Sequence, residues 1–228
     1  MRVALCLCGV VGNVYVDKKE YSYHSDVDYR IGLEHYRNHL FSEQCDVDVF
    51  VHSWSTQHKE GISKDYQPKL SLFEEQVDFG LETKRLNFMK SRWYSTKRVV
   101  ELKRQYEEAN DFEYDWVLLS RFDLCLLKDL DFSMYNRDTF YAPHDCYDPK
   151  KSYESRMFLD YWFFSNSKNM DKFSILYDKW DEYGIYNAHM ESFWHAYQLK
   201  LNIDYTFTEH KDHELTRALY DNCEHSQG

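Results

Sequence analysis

The chain has 228 residues, 28 of them basic and 39 acidic, for a formal charge of −11. That length buries a substantial core in one domain, while the acidic balance argues against a sequence-blind nucleic-acid binder, which needs a basic footprint. No stretch approaches the roughly 20 apolar residues that span a bilayer, and none of the six cysteines forms a CxxC pair, so a reduced, cytoplasmic interior is expected rather than a disulfide frame or zinc site.

In chain order, residues 2–11 predict a first strand that ends in a loop bracketed by Gly9 and Gly12. It reads as core strand, not as a secretory leader with a small-residue cleavage site. A polar loop is expected through Asp28, then a helix over 29–43 with Ile31, Leu33, Tyr36 and Leu40 at near-helical spacing. Residues 46–52 alternate as a second strand, 67–74 suggest a short third, and 91–109 a long polar helix packing through Val99, Val100, Leu102 and Tyr106.

The most informative segment is 114–124. Ser120-Arg121-Phe122-Asp123 interrupts an apolar run of the kind buried on both faces of a sheet. Charges there must be paired, hydrogen-bonded or exposed at a strand end. Two apart on a strand, Arg121 and Asp123 point to one side, and a cation with a carboxylate at a sheet edge suits a phosphate and its metal. The alternative is a purely structural Arg–Asp pair.

Further on, 140–143 predicts a short strand, 144–157 a polar loop and 161–164 another strand. Ser167 can N-cap a helix through about Glu182, a further helix occupies 188–199, and 202–208 forms a last strand. Alternating strands and helices imply an α/β domain with a mainly parallel sheet, whose ligands bind beyond the carboxyl ends of the strands. Gly9, His52 and Asp123 all fall at such ends.

The segments VALCLCGVVGN, DVFVHSW, RWYSTKRVVEL, WVLLSRFDL, DYWFFSNSKNMDKFSILYDKW and HMESFWHAY follow one another in that order. From about residue 2 to 213 the succession resembles nucleotide-sugar-dependent glycosyltransferases of the GT-A fold, particularly small bacterial and large-virus (chlorovirus-like) enzymes that build surface glycans. The resemblance implies a GT-A-like, Rossmann-like single domain over 1–228, with a mainly parallel sheet flanked by helices. Its nucleotide-binding half would be about 1–125 and its acceptor-side half about 126–215, and it could be one domain of a longer chain. The implied partners are a nucleoside-diphosphate sugar donor and a glycan or glycoprotein acceptor, in the cytoplasm (the host's, for a viral protein), with Mn²⁺ or Mg²⁺ as cofactor.

Carried over by position, SRFD stands where the family has its DXD motif, with Asp123 as the last acid and Arg121 in place of the first. Glu191 in His189-Met190-Glu191 matches the acid of the xED motif. His210 is the best match to a C-terminal metal-binding histidine, with His213 second, so Asp123 and His210 are the expected metal ligands and the Asp129/Asp131 pair the fallback.

Leaving-group charge must be met by a cation or metal, a role to which Arg121 is also suited through bidentate phosphate contacts. Donor contacts are further expected from Cys8, Gly9, Val10 and Phe122, and from Arg92, Tyr94 and Lys97 on the long helix. His52, Trp54 and Trp162 are expected on the acceptor side. Glu191 is the first candidate base and Asp160 the second; a first-turn glutamate is equally common as a partner of the helix dipole. A non-catalytic glycan-binding module and a metal-dependent nucleotidyltransferase or phosphohydrolase remain as other classes, the last requiring a clear carboxylate pair. The absence of GxSxG and Walker motifs argues against serine hydrolases and P-loop kinases.

Overall fold

The computed structural model describes residues 1–17, 22–41, 45–144, 158–185, 187–208 and 212–215. Strand β1 (Arg2–Gly9) lies in the interior of the sheet, its side chains buried on both faces. Val3, Leu5 and Leu7 join one core layer, and the smaller Ala4, Cys6 and Cys8 join the other. The period-2 alternation of a strand produces this division, and the small residues give room to Trp93, Val99 and Val100 of a long helix.

Around β1 lie β4 (Asp46–Ser53), β5 (Leu70–Phe73), β6 (Trp116–Arg121), β8 (Thr139–His144), β9 (Phe163–Ser165) and β10 (Asn202–Thr208). They form one seven-stranded sheet in the order β10-β8-β9-β6-β1-β4-β5. The pairings of β1 with β4 and β6, β4 with β5, and β8 with β10 are parallel, whereas β9 runs antiparallel to both neighbours. Residues before and after position 125 contribute to this one sheet, so the chain is a single α/β domain.

On one face pack α1 (Tyr29–His39) and α2 (Lys59–Tyr66), whose Leu33, Tyr36, Ile62 and Tyr66 belong to the layer of Leu5 and Leu118. On the other pack α3 (Lys84–Asn110), α4 (Ser167–Ser174), α5 (Leu176–Tyr183) and α6 (Ala188–Gln198). Helix α3 is fastened to α4 by Lys103, which is fully buried and donates to Glu107 at 2.8 Å, Ser167 Oγ at 2.6 Å and Asp171 at 2.6 Å. A buried ammonium requires this degree of satisfaction.

Four local expectations are corrected. Residues expected as a polar loop before Asp28 instead contain the hairpin strands β2 (Gly12–Asp17) and β3 (Ser22–Val27). The apolar run around SRFD is not one strand: the chain turns at Phe122 and Asp123, and β7 (Leu124–Leu126) pairs with β11 (His213–Leu215) in a separate ribbon. The helix expected over 167–182 is broken at Ile175, where Ser174 Oγ donates back to the Asp171 carbonyl at 2.8 Å, a side-chain bond that competes with helix continuation. Its N-cap is Asn166, which accepts from Asn169 N, while the Ser167 hydroxyl serves Lys103 and Glu107. Most of the loop expected at 144–157 lies outside the described residues.

The SRFD turn is seated on α1. Tyr36 donates its hydroxyl to the Arg121 carbonyl at 2.7 Å and pairs with Ser120 Oγ at 2.7 Å. At Gly32, a Cβ would overlap the Phe122 carbonyl, so only glycine permits this approach of helix to turn. An alanine in a helix normally gains about 1 kcal/mol over glycine. Gly32→Ala should do the reverse, destabilising by about 1–3 kcal/mol through overpacking and lowering Tm by about 2–10 °C. A thermal melt showing stabilisation would refute the close approach.

Candidate functional site

Strand β1 has β4 on one side and β6 on the other, so the connections diverge to opposite sides of this strand. In an open α/β sheet such a switch point leaves a crevice beyond the carboxyl ends of the strands. A cavity of about 570 Å³ occupies this position. Its floor is Cys8 and Gly9 at the end of β1 with Val10 and Val11 beyond it, Trp54 and Ser55 after β4, and Arg121, Phe122 and Asp123 at the end of β6. One wall is a face of α3, where Arg85, Phe88, Met89, Arg92 and Ser95 recur at helical spacing. Asp160, just before β9, and Ala188, at the start of α6, close the far side.

The floor is held by local bonds. Ser55 Oγ accepts from Val11 N at 2.9 Å and donates to Val11 O at 3.0 Å, while Ser53 Oγ donates to Gly9 O at 3.0 Å. Gly9 has a φ of +129° with open space where a Cβ would be, a conformation suited to glycine that brings backbone rather than side chain to the cavity.

Three guanidiniums and two carboxylates line the space. Arg121 Nε and Nη2 donate to the two oxygens of Asp123 at 2.7 and 2.8 Å, a bidentate fork. Burial disfavours the Arg121 cation, but the charge and hydrogen bonds of Asp123 outweigh it, and its pKa is raised. Arg92 donates through Nη1 to Cys8 Sγ and Thr96 Oγ1 and through Nη2 to the Asp160 carbonyl. Its Nε and the hydroxyl of Ser95 are buried without a hydrogen-bond partner. Arg85 is exposed at the rim.

Asp160 Oδ1 lies 3.2 Å from His189 Nε2. Burial alone would raise this carboxyl, but the His189 hydrogen bond and charge, with Arg92 and Arg121, hold it well below the ordinary carboxylate range. Glu191 is the opposite case. It sits in the first turn of α6, 1 % exposed, with Oε2 accepting from Trp93 Nε1 at 2.9 Å and Oε1 buried without a partner. Burial pushes its pKa up to about 7, against the Trp93 hydrogen bond and aided by the Asp160 charge.

Of the residues singled out in the sequence, Cys8, Gly9, Val10, Trp54, Arg92, Arg121, Phe122, Asp123 and Asp160 converge on the cavity. The others lie elsewhere. Tyr94 stacks behind Trp54 at 5.2 Å, and Lys97 pairs with Asp178 of α5 at 2.7 Å. His52 is fully buried against Glu74, and Trp162 is packed on Phe164 at 5.5 Å. His213 is buried in β11 beside the rings of Tyr161 and Trp162. His210 lies outside the described residues. Arg85, Phe88, Ser95 and the Asp160 partner His189 were not assigned roles from sequence; the i, i+3, i+7 spacing of 85, 88 and 92 is the signal that could have found the first two.

Among the described residues, the donors at the SRFD turn do not by themselves fit a resident divalent cation. Such an ion needs carboxylate oxygens turned toward it, whereas both Asp123 oxygens receive Arg121 donors and Asp160 Oδ1 faces His189. Among the described residues no three His, Cys, Asp or Glu side chains form a group able to hold a metal ion. Asp129 pairs with His39 at 2.8 Å, and Asp131 caps a short helical turn through Ser133 N; neither lines the cavity.

No protein-family profile matches the chain, and no curated protein matches it. Fold and cavity define the protein as an α/β domain with a charged cavity at its topological switch point. No helix among the described residues is long and apolar enough to cross a membrane.

The Glu191 environment yields a pH prediction. The folded state holds the proton up to about pH 7, whereas the reference carboxyl loses it near 4.5. The resulting stabilisation is full below the unfolded value and is lost as pH rises through about 7. Glu191→Gln should therefore gain about 2–3 kcal/mol relative to the parent between about pH 5 and pH 8. Denaturant midpoints of the two proteins across that range measure it, and parallel curves would contradict a neutral buried Glu191.

Proposed function

We propose that the protein is a glycosyltransferase that moves a sugar from a nucleoside diphosphate to a hydroxyl of a glycan or glycoprotein acceptor. The observation that carries this is the cavity at the carboxyl ends of β1, β4 and β6, where Arg92 and Arg121 stand beside Asp160. Guanidiniums supply charge for a diphosphate, Gly9 allows backbone approach, and Trp54 and Phe88 offer flat apolar surface for a base or sugar ring. The free thiols Cys6, Cys8, Cys45 and Cys125 suit a cytoplasmic setting, where nucleotide sugars would be met.

In the reaction, the bond from the anomeric carbon to the diphosphate oxygen breaks and its electron pair leaves with the phosphate. Arg92 and Arg121 stabilise that developing charge. The acceptor oxygen bonds to the anomeric carbon, and its proton passes to Asp160, the cavity carboxylate that is not forked to Arg121. In the free protein Asp160 is a weak base because His189 and, after it, the charges of the two arginines hold its proton affinity down. A bound diphosphate neutralises those charges, so Asp160 becomes a stronger base when donor is present. His189 keeps its imidazole against the carboxylate and fixes its direction.

Two outcomes are expected. Screening nucleotide sugars by thermal shift should find one that raises Tm, since a ligand bound only by the folded state stabilises by mass action; a panel without any shift would refute the assignment. With that donor, Asp160→Asn should lower kcat about 10²–10⁴-fold while donor affinity stays within about threefold. Unchanged turnover would remove Asp160 as the base.

A further inference from the structure

We infer that the site binds its donor diphosphate without a divalent cation, guanidinium charge from Arg121, Arg92 and Arg85 taking the ion's place, and that Asp123 acts as the positioning residue for Arg121. This rests on the glycosyltransferase assignment above and names the source of positive charge within it.

Geometry at the turn carries the inference. The side chains of Arg121 and Asp123 are 20 % and 7 % exposed, and their fork–fork contact uses one edge of the guanidinium, Nε and Nη2. The remaining edge is available for a second acceptor. For Asp123 to ligate a metal, Arg121 would have to be displaced, leaving a buried guanidinium without its counter-charge, a costly state. The same carboxylate therefore serves better as an orienting group: it fixes the plane of Arg121 and leaves the cation facing the cavity. From behind, the Tyr36 hydroxyl holds the Arg121 carbonyl and Ser120 Oγ, so the backbone under the guanidinium is also fixed.

Arg92 supplies the second, independent observation. Three of its contacts point to Thr96, Cys8 and the Asp160 carbonyl, yet its Nε is buried without an acceptor in a residue that lines the cavity. Ser95 Oγ, one turn along the same helix, is in the same condition and lines the same space. Buried donors left open are rare and call for an absent acceptor. An anionic oxygen satisfies an arginine N–H and a hydroxyl together; a metal cation cannot satisfy the arginine N–H, which only donates. Arg85, seven residues before Arg92 on this helix face, adds an exposed cation at the entrance. A divalent ion entering beside three guanidiniums would meet repulsion, while a diphosphate meets complementary charge.

The test is calorimetric titration of the intact protein with uridine, guanosine, cytidine and thymidine diphosphates, in a chelating buffer and again with Mn²⁺ or Mg²⁺. The expected result is binding of one diphosphate with affinities equal within about threefold in both buffers. Tightening by about tenfold or more with the metal would overturn the inference and leave the donor assignment standing. Binding in neither buffer would overturn both.

Variants read the assignment of charge. Arg121→Gln and Arg92→Gln should each weaken binding in chelator by about 10–100-fold, the range for losing charged hydrogen bonds. Arg85→Gln, at an exposed position where folding is not at risk, should weaken it by about 2–10-fold and flatten its salt dependence. Asp123→Asn keeps the shape of the pair and tests positioning: binding in chelator should persist at about tenfold lower affinity, without any new response to Mn²⁺. Unaltered affinity in the Arg85 and Arg121 variants, or chelator-resistant binding that is unchanged by Asp123→Asn, would contradict the roles given to these residues.

Discussion

The bidentate contact between Arg121 and Asp123 organises the rest of the site. It lies where β6 ends and the chain must reverse, and its closure defines that reversal. Helix α1 is shaped to it, with a glycine at the point of closest approach and a tyrosine hydroxyl bridging two successive residues of the turn. Because an isolated charge at this depth is untenable, neither member can be altered without consequence for the other. The turn is therefore a rigid carrier of one directed cation.

Around this point charge is coupled rather than merely collected. Arg92 reaches from α3 to the Asp160 carbonyl and the Cys8 sulfur, so helix, β1 and the approach to β9 meet at one side chain. Asp160 then feels Arg92, Arg121 and His189 together. Any anion entering the cavity changes the balance for all of them. Glu191, which is hydrogen-bonded to Trp93 and does not line the cavity, responds to the Asp160 charge, and burial pushes its pKa up to about 7. Two carboxyl groups on neighbouring elements thus have opposite proton affinities, set by burial for one and by cationic neighbours for the other.

Much of this was legible from residue order. Strand and helix alternation predicted β1, β4, β6, β10 and α6 because their apolar faces are continuous or strictly periodic, and these elements bring Gly9, Arg121 and Asp123 to one end of the sheet. The hairpin of β2 and β3 was missed because the alternation of Val14 and Val16 is brief and runs into charged residues. The first two turns of α3 were missed for a different reason. Arg85 and Phe88 face the cavity, and the packed residues Leu86 and Met89 sit among polar and charged ones, so only a short apolar pattern marks these turns. Sequence ranked Glu191 ahead of Asp160 as candidate base, whereas Asp160 is the one that lines the cavity and Glu191 is held by Trp93, a difference that depends on how α6 packs against α3. Spacing placed Arg121 beside Asp123 correctly, although a tight turn and not a strand face brings them together.

Lys103 has a consequence for how the molecule comes apart. Its ammonium is sealed between α3 and α4 by groups from both helices, so peeling α4 away would strand a charge in an apolar medium. The two helices should accordingly open as one cooperative unit, their amides exchanging hydrogen at a common, slow rate. The stretch of α3 beyond this anchorage, from Arg85 to Ser95, is where ligand binding can alter protection without unfastening the remainder.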